Sequence, residues 1–190
     1  MLRQEEQDGL AVNYVGLDLS LRGSGVCVLD ADGGILYRGK FGYGLKRSAR
    51  LKDKIERMID VAKGIVQVVD EYSVLKVPDS LVIGDPQRFR PRVGIEGYAF
   101  GKRGNATIDL GELGGVVKSQ LWLRFAIEPT LIAAPSGRKT VFGNGRLSKA
   151  EVIPQLAKRG LIFTEHDIAD AYVVAETLRQ RSHTHTTKAD

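Results

Sequence analysis

Residues 14–30 read YVGLDLSLRGSGVCVLD, and the alternation in this stretch is the clearest structural signal in the chain. Over residues 14–21, Val and Leu alternate with Tyr, Gly, Asp and Ser, which is typical of a β-strand with one buried face. The short turn at residues 22–25 brings the next strand, residues 25–30, back antiparallel to the first. After a second turn, residues 35–41 form a third strand, so the chain is predicted to open with a three-stranded meander.

Long helical patterns and short strands alternate after the meander. Long helices are predicted at residues 46–70 and 105–126, and strands at residues 92–100 and 129–134. A short helix is predicted to begin at Ser148, and a last helix to span residues 164–181. The expected inward-facing stripe of the first helix comprises Leu51, Ile55, Met58, Ile59, Ala62, Val66 and Val69. Strands separated by long helices, after an antiparallel meander, indicate an α/β fold with a mixed sheet flanked by helices.

Amino-acid composition permits a polyanionic partner and excludes disulfide-rich and membrane-spanning classes of protein. The 190 residues include 28 Lys and Arg against 23 Asp and Glu, a formal net charge of +5 that permits a polyanionic partner. The single cysteine, Cys27, excludes an intramolecular disulfide and a thiolate-based zinc site. The sequence has neither an apolar run long enough for a membrane span nor a signal-peptide pattern, so we expect a cytoplasmic protein that does not act in a membrane.

The two ends of the chain lack periodic patterns. We expect residues 1–12 to form a flexible leader and residues 182–190, SHTHTTKAD, to form a disordered tail. The length between them, residues 13–181, fits one ordinary domain.

Carboxylates stand in apolar strands, where charge is costly. Asp18 interrupts the first strand, Glu96 interrupts the strand at 92–100, and Asp167 and Asp170 share one face of the last helix. Carboxylates held together repel one another, and a divalent cation removes that cost. Mg²⁺ prefers such oxygen ligands, and two ions together can activate a water and stabilise the leaving oxygen of a phosphodiester.

Each carboxylate also has an ordinary structural explanation. Asp18 could pair with Arg22 or a nearby lysine, and Glu96 could be a solvent-facing charge on an edge strand. Asp167 could cap the last helix, and Asp170 could interact with its dipole. Their occurrence together favours a shared metal site.

A glycine turn beside a helix start offers a possible phosphate site. Residues 143–146, GNGR, precede Ser148, and free backbone N–H groups there can hold a phosphate. Lys139, Arg146 and Lys149 surround the turn and favour a DNA-backbone track over a simple connection. The residues that would extend this track are Lys102, Arg103, Arg88, Arg90 and Arg92.

Taken in order, five segments resemble the RuvC family of Holliday junction resolvases, in the ribonuclease-H-like superfamily. They are GLDLSLRGSGVCVLD, IEGYAF, LGELGGVV, KTVFGNGRLSKAEV and HDIADAYVVAE, within residues 14–181. The resemblance implies a RuvC-like nuclease domain over residues 13–181. Its fold would be a five-stranded mixed sheet, with the second strand antiparallel, flanked by helices.

The same resemblance implies an activity and its residues. It implies a homodimer that resolves four-way DNA junctions by paired symmetric nicks, using two Mg²⁺ per active site, for which Mn²⁺ would substitute. The residues that match the family's catalytic and metal-binding carboxylates are Asp18, Glu96, Asp167 and Asp170. Lys139 and Lys149 match basic residues beside the glycine turn, and His166 could be a substitute ligand.

Some features depart from the family pattern or leave alternatives open. The family's aromatic wedge position is Ala99 here, so Tyr98 or Phe100 would have to contact DNA instead. Gly111, Gly114 and Gly115 are candidates for a dimer interface, with core packing as the alternative.

Other functions stay open at this point. A phage-type member would also cut other branched DNA, and a ribonuclease-H-like enzyme would cut RNA–DNA hybrids or structured RNA. An inactive DNA-binding module is a further alternative. An ATP-using enzyme of the actin type is disfavoured, because such enzymes need two domains of this kind.

Overall fold

The computed structural model describes residues 12–42, 44, 49–73, 90–97 and 105–186. The strands in this part of the chain are β1 (Tyr14–Asp18), β2 (Ser24–Leu29), β3 (Ile35–Phe41), β4 (Arg92–Gly97) and β5 (Thr130–Ala133). The helices are α1 (Leu51–Glu71), α2 (Asn105–Phe125), α3 (Ala134–Phe142), α4 (Lys149–Ala157) and α5 (His166–Thr186). None of these helices is apolar over enough residues to cross a bilayer.

The five strands form one mixed sheet in the order β3-β2-β1-β4-β5. β2 is antiparallel to both β1 and β3, whereas β1, β4 and β5 run parallel. The predicted meander and the predicted fold class are therefore confirmed. Leu17 of β1 pairs with Ile95 of β4, so the next residues, Asp18 and Glu96, lie side by side at the carboxyl edge of the sheet.

Helices cover both faces of the sheet. Val15, Leu17 and Ile95 belong to the core on the face packed against α1 and α2. On the other face, a second core joins Cys27 and Ile132 of the sheet to α3, α4 and α5. Alternation along each strand thus sends neighbouring residues into different cores, and it leaves Asp18 and Glu96 on the α5 side.

Close approach of α5 to the sheet requires glycine on β1 and β2. A Cβ at Gly16 would stand 2.0 Å from the Ala171 carbonyl oxygen, and one at Gly25 would stand 2.0 Å from the Asp167 carbonyl oxygen. The missing side chains let the α5 backbone lie directly on the strands. The first turn of α5 is thereby brought to the sheet edge that carries Asp18.

The structure corrects the predicted stripe of α1. Leu51, Ile55 and Ile59 are 68%, 47% and 41% exposed, whereas the buried residues of this helix begin at Met58. The inward face instead includes Val61, Ile65 and Val68 besides the later members of the predicted stripe. The first two turns of α1 therefore extend beyond the core that buries the rest of the helix.

Two further helical segments differ from prediction. α3 was not predicted, although Pro135 in its first turn and the left-handed Gly143 after its end are ordinary helix-boundary signals. α5 continues to Thr186, so residues 182–186 are helical where a tail was expected. Arg92 donates a hydrogen bond to the Ser182 hydroxyl, which anchors these last turns to β4. Residues 1–11 and 187–190 lie outside the described residues.

Candidate metal centre

Three carboxylates from three different elements meet at the carboxyl edge of the sheet. Asp18 ends β1, Glu96 lies near the end of β4, and Asp170 comes from the first turns of α5. One oxygen from each lies within 4.8 Å of the others, and we call this group the acidic trio. Asp170 is 4% exposed and the Asp18 side chain is 15% exposed, so the trio sits in a partly desolvated recess.

Burial and mutual repulsion make the trio costly in its charged form. Burial, assisted by the charge of Glu96, raises the pKa of Asp18 well above its ordinary value. Burial and the neighbouring Asp170 also raise the pKa of Glu96. Both shifts show that the folded protein disfavours anionic charge here unless a cation compensates it.

Lys149, the first residue of α4, supplies one such cation. Its ammonium lies 3.4 Å from Asp18 Oδ2, 3.1 Å from Asp167 Oδ1 and 2.9 Å from Asp170 Oδ2. Although burial opposes it, the neighbouring carboxylates, Asp18 foremost, raise the pKa of Lys149 and keep it charged. The sequence placed this lysine on a phosphate track, and the structure places it in contact with the carboxylates.

The fourth predicted carboxylate, Asp167, lies beside the trio and forms an additional ion pair with a lysine of β3. Lys40 of β3 lies 2.7 Å from Asp167 Oδ2 and 3.1 Å from Glu165 Oε2. Despite partial burial, hydrogen bonds from Lys40 and Lys149 hold the pKa of Asp167 below its usual value. Asp167 is therefore charged and shares Lys149 with two members of the trio.

Sequence reasoning missed two cations of this site. Lys40 was read as part of a strand, and no local signal links it to the last helix. Arg138 of α3 lies with Nη2 3.7 Å from Asp170 Oδ1, and its Nη1 donates a 2.8 Å hydrogen bond to the Leu147 carbonyl. Its place directly before Lys139 in a basic pair was the available signal.

The residues present fit a hard divalent cation. All three members of the trio offer carboxylate oxygens, the ligands that Mg²⁺ prefers. Asp170 Oδ2 is buried, and the Lys149 ammonium lies 2.9 Å from it. A buried carboxylate oxygen beside a cation that can move away is suited to ligate a metal ion.

Of the remaining predicted site residues, some are exposed at the protein surface and others lie outside the described residues. Lys139 on α3 and Arg146 on the following turn are exposed, and neither forms an ion pair within the described part of the chain. The Arg146 backbone N–H donates to Asn144 Oδ1 at 3.0 Å, which shapes the glycine turn. His166 is exposed at the start of α5. The predicted DNA contacts that lie outside the described residues are Arg88, Tyr98, Phe100, Lys102 and Arg103.

Replacing Lys149 by Met should strengthen Mg²⁺ binding. The ammonium and the metal ion compete for the same oxygens of Asp18 and Asp170, and removing the ammonium restores the repulsion that the ion relieves. We expect the dissociation constant for Mg²⁺, measured by calorimetry at pH 8, to fall about tenfold. Lys158→Met, at an exposed lysine beyond α4, is the matched control and should leave it unchanged. Weaker Mg²⁺ binding by Lys149→Met would contradict competition.

Comparison with known proteins supports the architecture. No protein-family model matches the sequence, and no curated relative was found. The structure of Thermus thermophilus RuvC matches with a TM-score of 0.67 and 17% identity, covering 93% of this chain and 98% of that one. T. thermophilus RuvC in complex with a Holliday junction substrate matches with a TM-score of 0.67 and 14% identity, covering 92% and 97%. The chain therefore has a RuvC-like, ribonuclease-H-like fold.

Proposed function

We propose that this protein is a metal-dependent endonuclease that resolves four-way DNA junctions by paired symmetric nicks. The observation that carries the proposal is the acidic trio at the carboxyl edge of a RuvC-like sheet. A structural neighbour, T. thermophilus RuvC, was solved with a Holliday junction substrate, which favours branched DNA as the substrate class. The net charge of +5 suits a polyanionic partner.

In this proposal the chain holds two Mg²⁺, or Mn²⁺ as a substitute, through its carboxylates. The ligands would be Asp18, Glu96, Asp170 and the adjacent Asp167. When bound, the ions supply activation of a water and stabilisation of the leaving oxygen. Lys149, once displaced from the carboxylates, would lie beside the scissile phosphate and would stabilise its added negative charge.

DNA outside the reacting phosphate would be held by cations near the glycine turn. Lys139 and Arg146 are exposed on the segments that flank the trio, and such side chains position a phosphate backbone without reading its sequence. Lys102 and Arg103 would extend this track, and Tyr98 or Phe100 would take the place of the family's aromatic wedge. Binding through these groups should weaken steeply with salt.

We further propose that α2 forms the interface of a homodimer. Gly111 and Gly115 are exposed with open space beside them, whereas Gly114 faces the core. Ile108 and Trp122 on the same helix are 61% and 59% exposed. Small residues four apart between large apolar ones allow two helices to approach closely, and a two-fold dimer matches the symmetry of a four-way junction.

Replacing Gly115 by Leu should convert the dimer to a monomer. The added side chain fills the space that the partner helix would occupy, so the dissociation constant should rise at least about a hundredfold, as measured by sedimentation equilibrium. Junction cutting should then lose its pairing, with single nicks replacing bilateral ones. Lys158→Leu, an exposed apolar substitution away from α2, should stay dimeric. A wild-type protein that is monomeric at high concentration would refute the interface.

The proposed activity is tested by cleavage of labelled DNA on denaturing gels. A four-way junction, a flap, a linear duplex and an RNA–DNA hybrid are compared in Mg²⁺, Ca²⁺ and EDTA. We expect symmetric nicks in the junction with Mg²⁺ and none with EDTA. Faster cleavage of the RNA–DNA hybrid than of the junction would contradict a junction-resolving activity and would indicate a ribonuclease. Tight junction binding without cleavage in Mg²⁺ or Mn²⁺ would favour an inactive DNA-binding module.

A further inference from the structure

A second concave site lies at the opposite end of the sheet from the acidic trio. A cavity of about 470 Å³ is bounded by the starts of β4 and β5, the loop after α2 and the last turns of α5. Along α5, the stretch from Asp170 to Arg181 spans about 16 Å at 1.5 Å per residue. The cavity is therefore separate from the metal centre, and its side chains take no part in the chemistry proposed there.

Three arginines converge on this cavity. Arg90, Arg92 and Arg181 line it, and Glu128 is the sole carboxylate among its described lining residues. Within the described residues, neither Arg90 nor Arg92 lies within ion-pair distance of a carboxylate. Arg90 and Arg92 thus bring positive charge to the cavity that no carboxylate of the described residues pairs with.

Two of these guanidinium groups are held in place by hydroxyls. Arg92 donates a hydrogen bond to Ser182 Oγ, and Arg181 donates one of 2.8 Å to Ser136 Oγ. Each bond fixes the arginine without consuming charge, because a hydroxyl is a neutral acceptor. Arg92, held by a neutral acceptor and outside ion-pair distance of any carboxylate of the described residues, is suited to receive an anion from outside.

Arg90 adds an unmet hydrogen-bond donor. Its Nη1 is buried and has no partner in the described part of the chain. Buried donors of this kind are rare because leaving them unsatisfied destabilises the fold, so a native example calls for an external acceptor. The sequence predicts Arg90 and Arg92 on a track beside the glycine turn, whereas the structure places both at the start of β4, away from that turn.

Part of the remaining wall is apolar. Pro91, Val93, Ile127 and Leu178 are buried and line the same cavity. A concave site that combines such apolar side chains with convergent polar groups is suited to a small organic molecule that carries a charged group. A ligand that suits it combines an anionic group with an organic part large enough to cover the apolar surface.

We propose that this cavity is a binding site for a phosphate ester. Its phosphate would lie against Arg90, Arg92 and Arg181, which offer the planar, multiply donating groups that recognise phosphate. The organic part would lie on the Ile127 and Leu178 wall. The phosphate ester is either a free nucleotide-sized molecule or a phosphodiester of bound DNA, since both present the same chemistry.

The test uses AMP and inorganic phosphate as probes, titrated calorimetrically into the full-length protein in metal-free Tris buffer. AMP should bind, and more tightly than phosphate because of its organic part. Arg90→Gln/Arg92→Gln should weaken AMP binding at least about tenfold. The control Lys63→Gln/Lys158→Gln removes the same charge from exposed lysines elsewhere and should change it less than about twofold.

A second variant tests the site even if Arg90→Gln/Arg92→Gln fails to fold. Glu128 is exposed, so Glu128→Gln should fold normally, and loss of the opposing charge should tighten AMP binding about threefold. No AMP binding up to about 10 mM, or equal binding by wild type and Arg90→Gln/Arg92→Gln, would overturn the proposal.

Competition identifies the source of the phosphate. If a four-way junction displaces AMP from the wild-type protein, the site holds a DNA phosphate; if AMP stays bound, the ligand is a free phosphate ester. Both results support the site, which does not depend on nuclease activity. An absence of AMP binding would therefore not contradict the proposed junction cleavage.

Discussion

Asp18→Asn is expected to abolish Mg²⁺-dependent cutting of a four-way junction while leaving junction binding intact. Asp18 is the member of the acidic trio that ends the central strand and lies beside Glu96. Its amide replacement keeps the shape but removes an anionic oxygen ligand. We expect the single-turnover cleavage rate to fall at least about a thousandfold, equivalent to about 4 kcal/mol of transition-state stabilisation.

Stability measurements separate this loss from misfolding. Because the folded pKa of Asp18 is raised, its ionisation lowers the free energy of unfolding as pH rises from the unfolded pKa, about 3.9, through the folded pKa. Above the folded pKa the penalty is fully present, so in that range and without metal Asp18→Asn should unfold at higher urea than wild type. Asp32→Asn, in an exposed turn, is the matched control for both assays. If Asp18→Asn cuts the junction at the wild-type rate, Asp18 is not a metal ligand of the active site.

Gly16→Ala is expected to destabilise the fold more than any other single methyl addition to β1. The new Cβ would meet the Ala171 carbonyl oxygen at 2.0 Å and the Ala175 nitrogen at 2.5 Å, both of them backbone atoms of α5. Neither can move without shifting the helix. We expect the free energy of unfolding to fall by about 3 kcal/mol, measured by urea denaturation.

The matched control is Gly97→Ala at the end of β4. There an added Cβ would meet its nearest atoms at 3.4 Å, an ordinary contact, so stability should change little. If Gly16→Ala folds, displacement of α5 should also move Asp170 away from Asp18 and weaken Mg²⁺ binding. Equal stability of the two variants would show that α5 does not lie against β1 as described.

The fold could be predicted because its signals are local. Alternating apolar residues and glycine turns specify β1, β2 and β3 without reference to the rest of the chain. The carboxylates Asp18 and Glu96 were detectable because they break an apolar strand pattern. Their convergence with Asp170 required the order of strands, which the family resemblance supplied.

The sequence predicts Lys149 as a DNA-binding residue, but its contacts with the carboxylates, like those of Lys40, could not be predicted, because tertiary packing brings these groups together. Lys40 and Lys149 come from distant parts of the chain and meet Asp167 only when β3, α4 and α5 are assembled. The stripe of α1 was shifted for a related reason: periodicity identifies a helix face but not where the sheet beneath it ends. The arginine cavity likewise forms only where α5 returns to the start of β4.

The most direct test is a crystal structure of the protein soaked in Mn²⁺, with anomalous scattering recorded at the manganese edge. We predict at least one anomalous peak about 2.1 Å from carboxylate oxygens of Asp18 and Asp170, with the Lys149 ammonium moved out of their reach. A soaked crystal with no manganese among these oxygens and Lys149 still paired with them would contradict it.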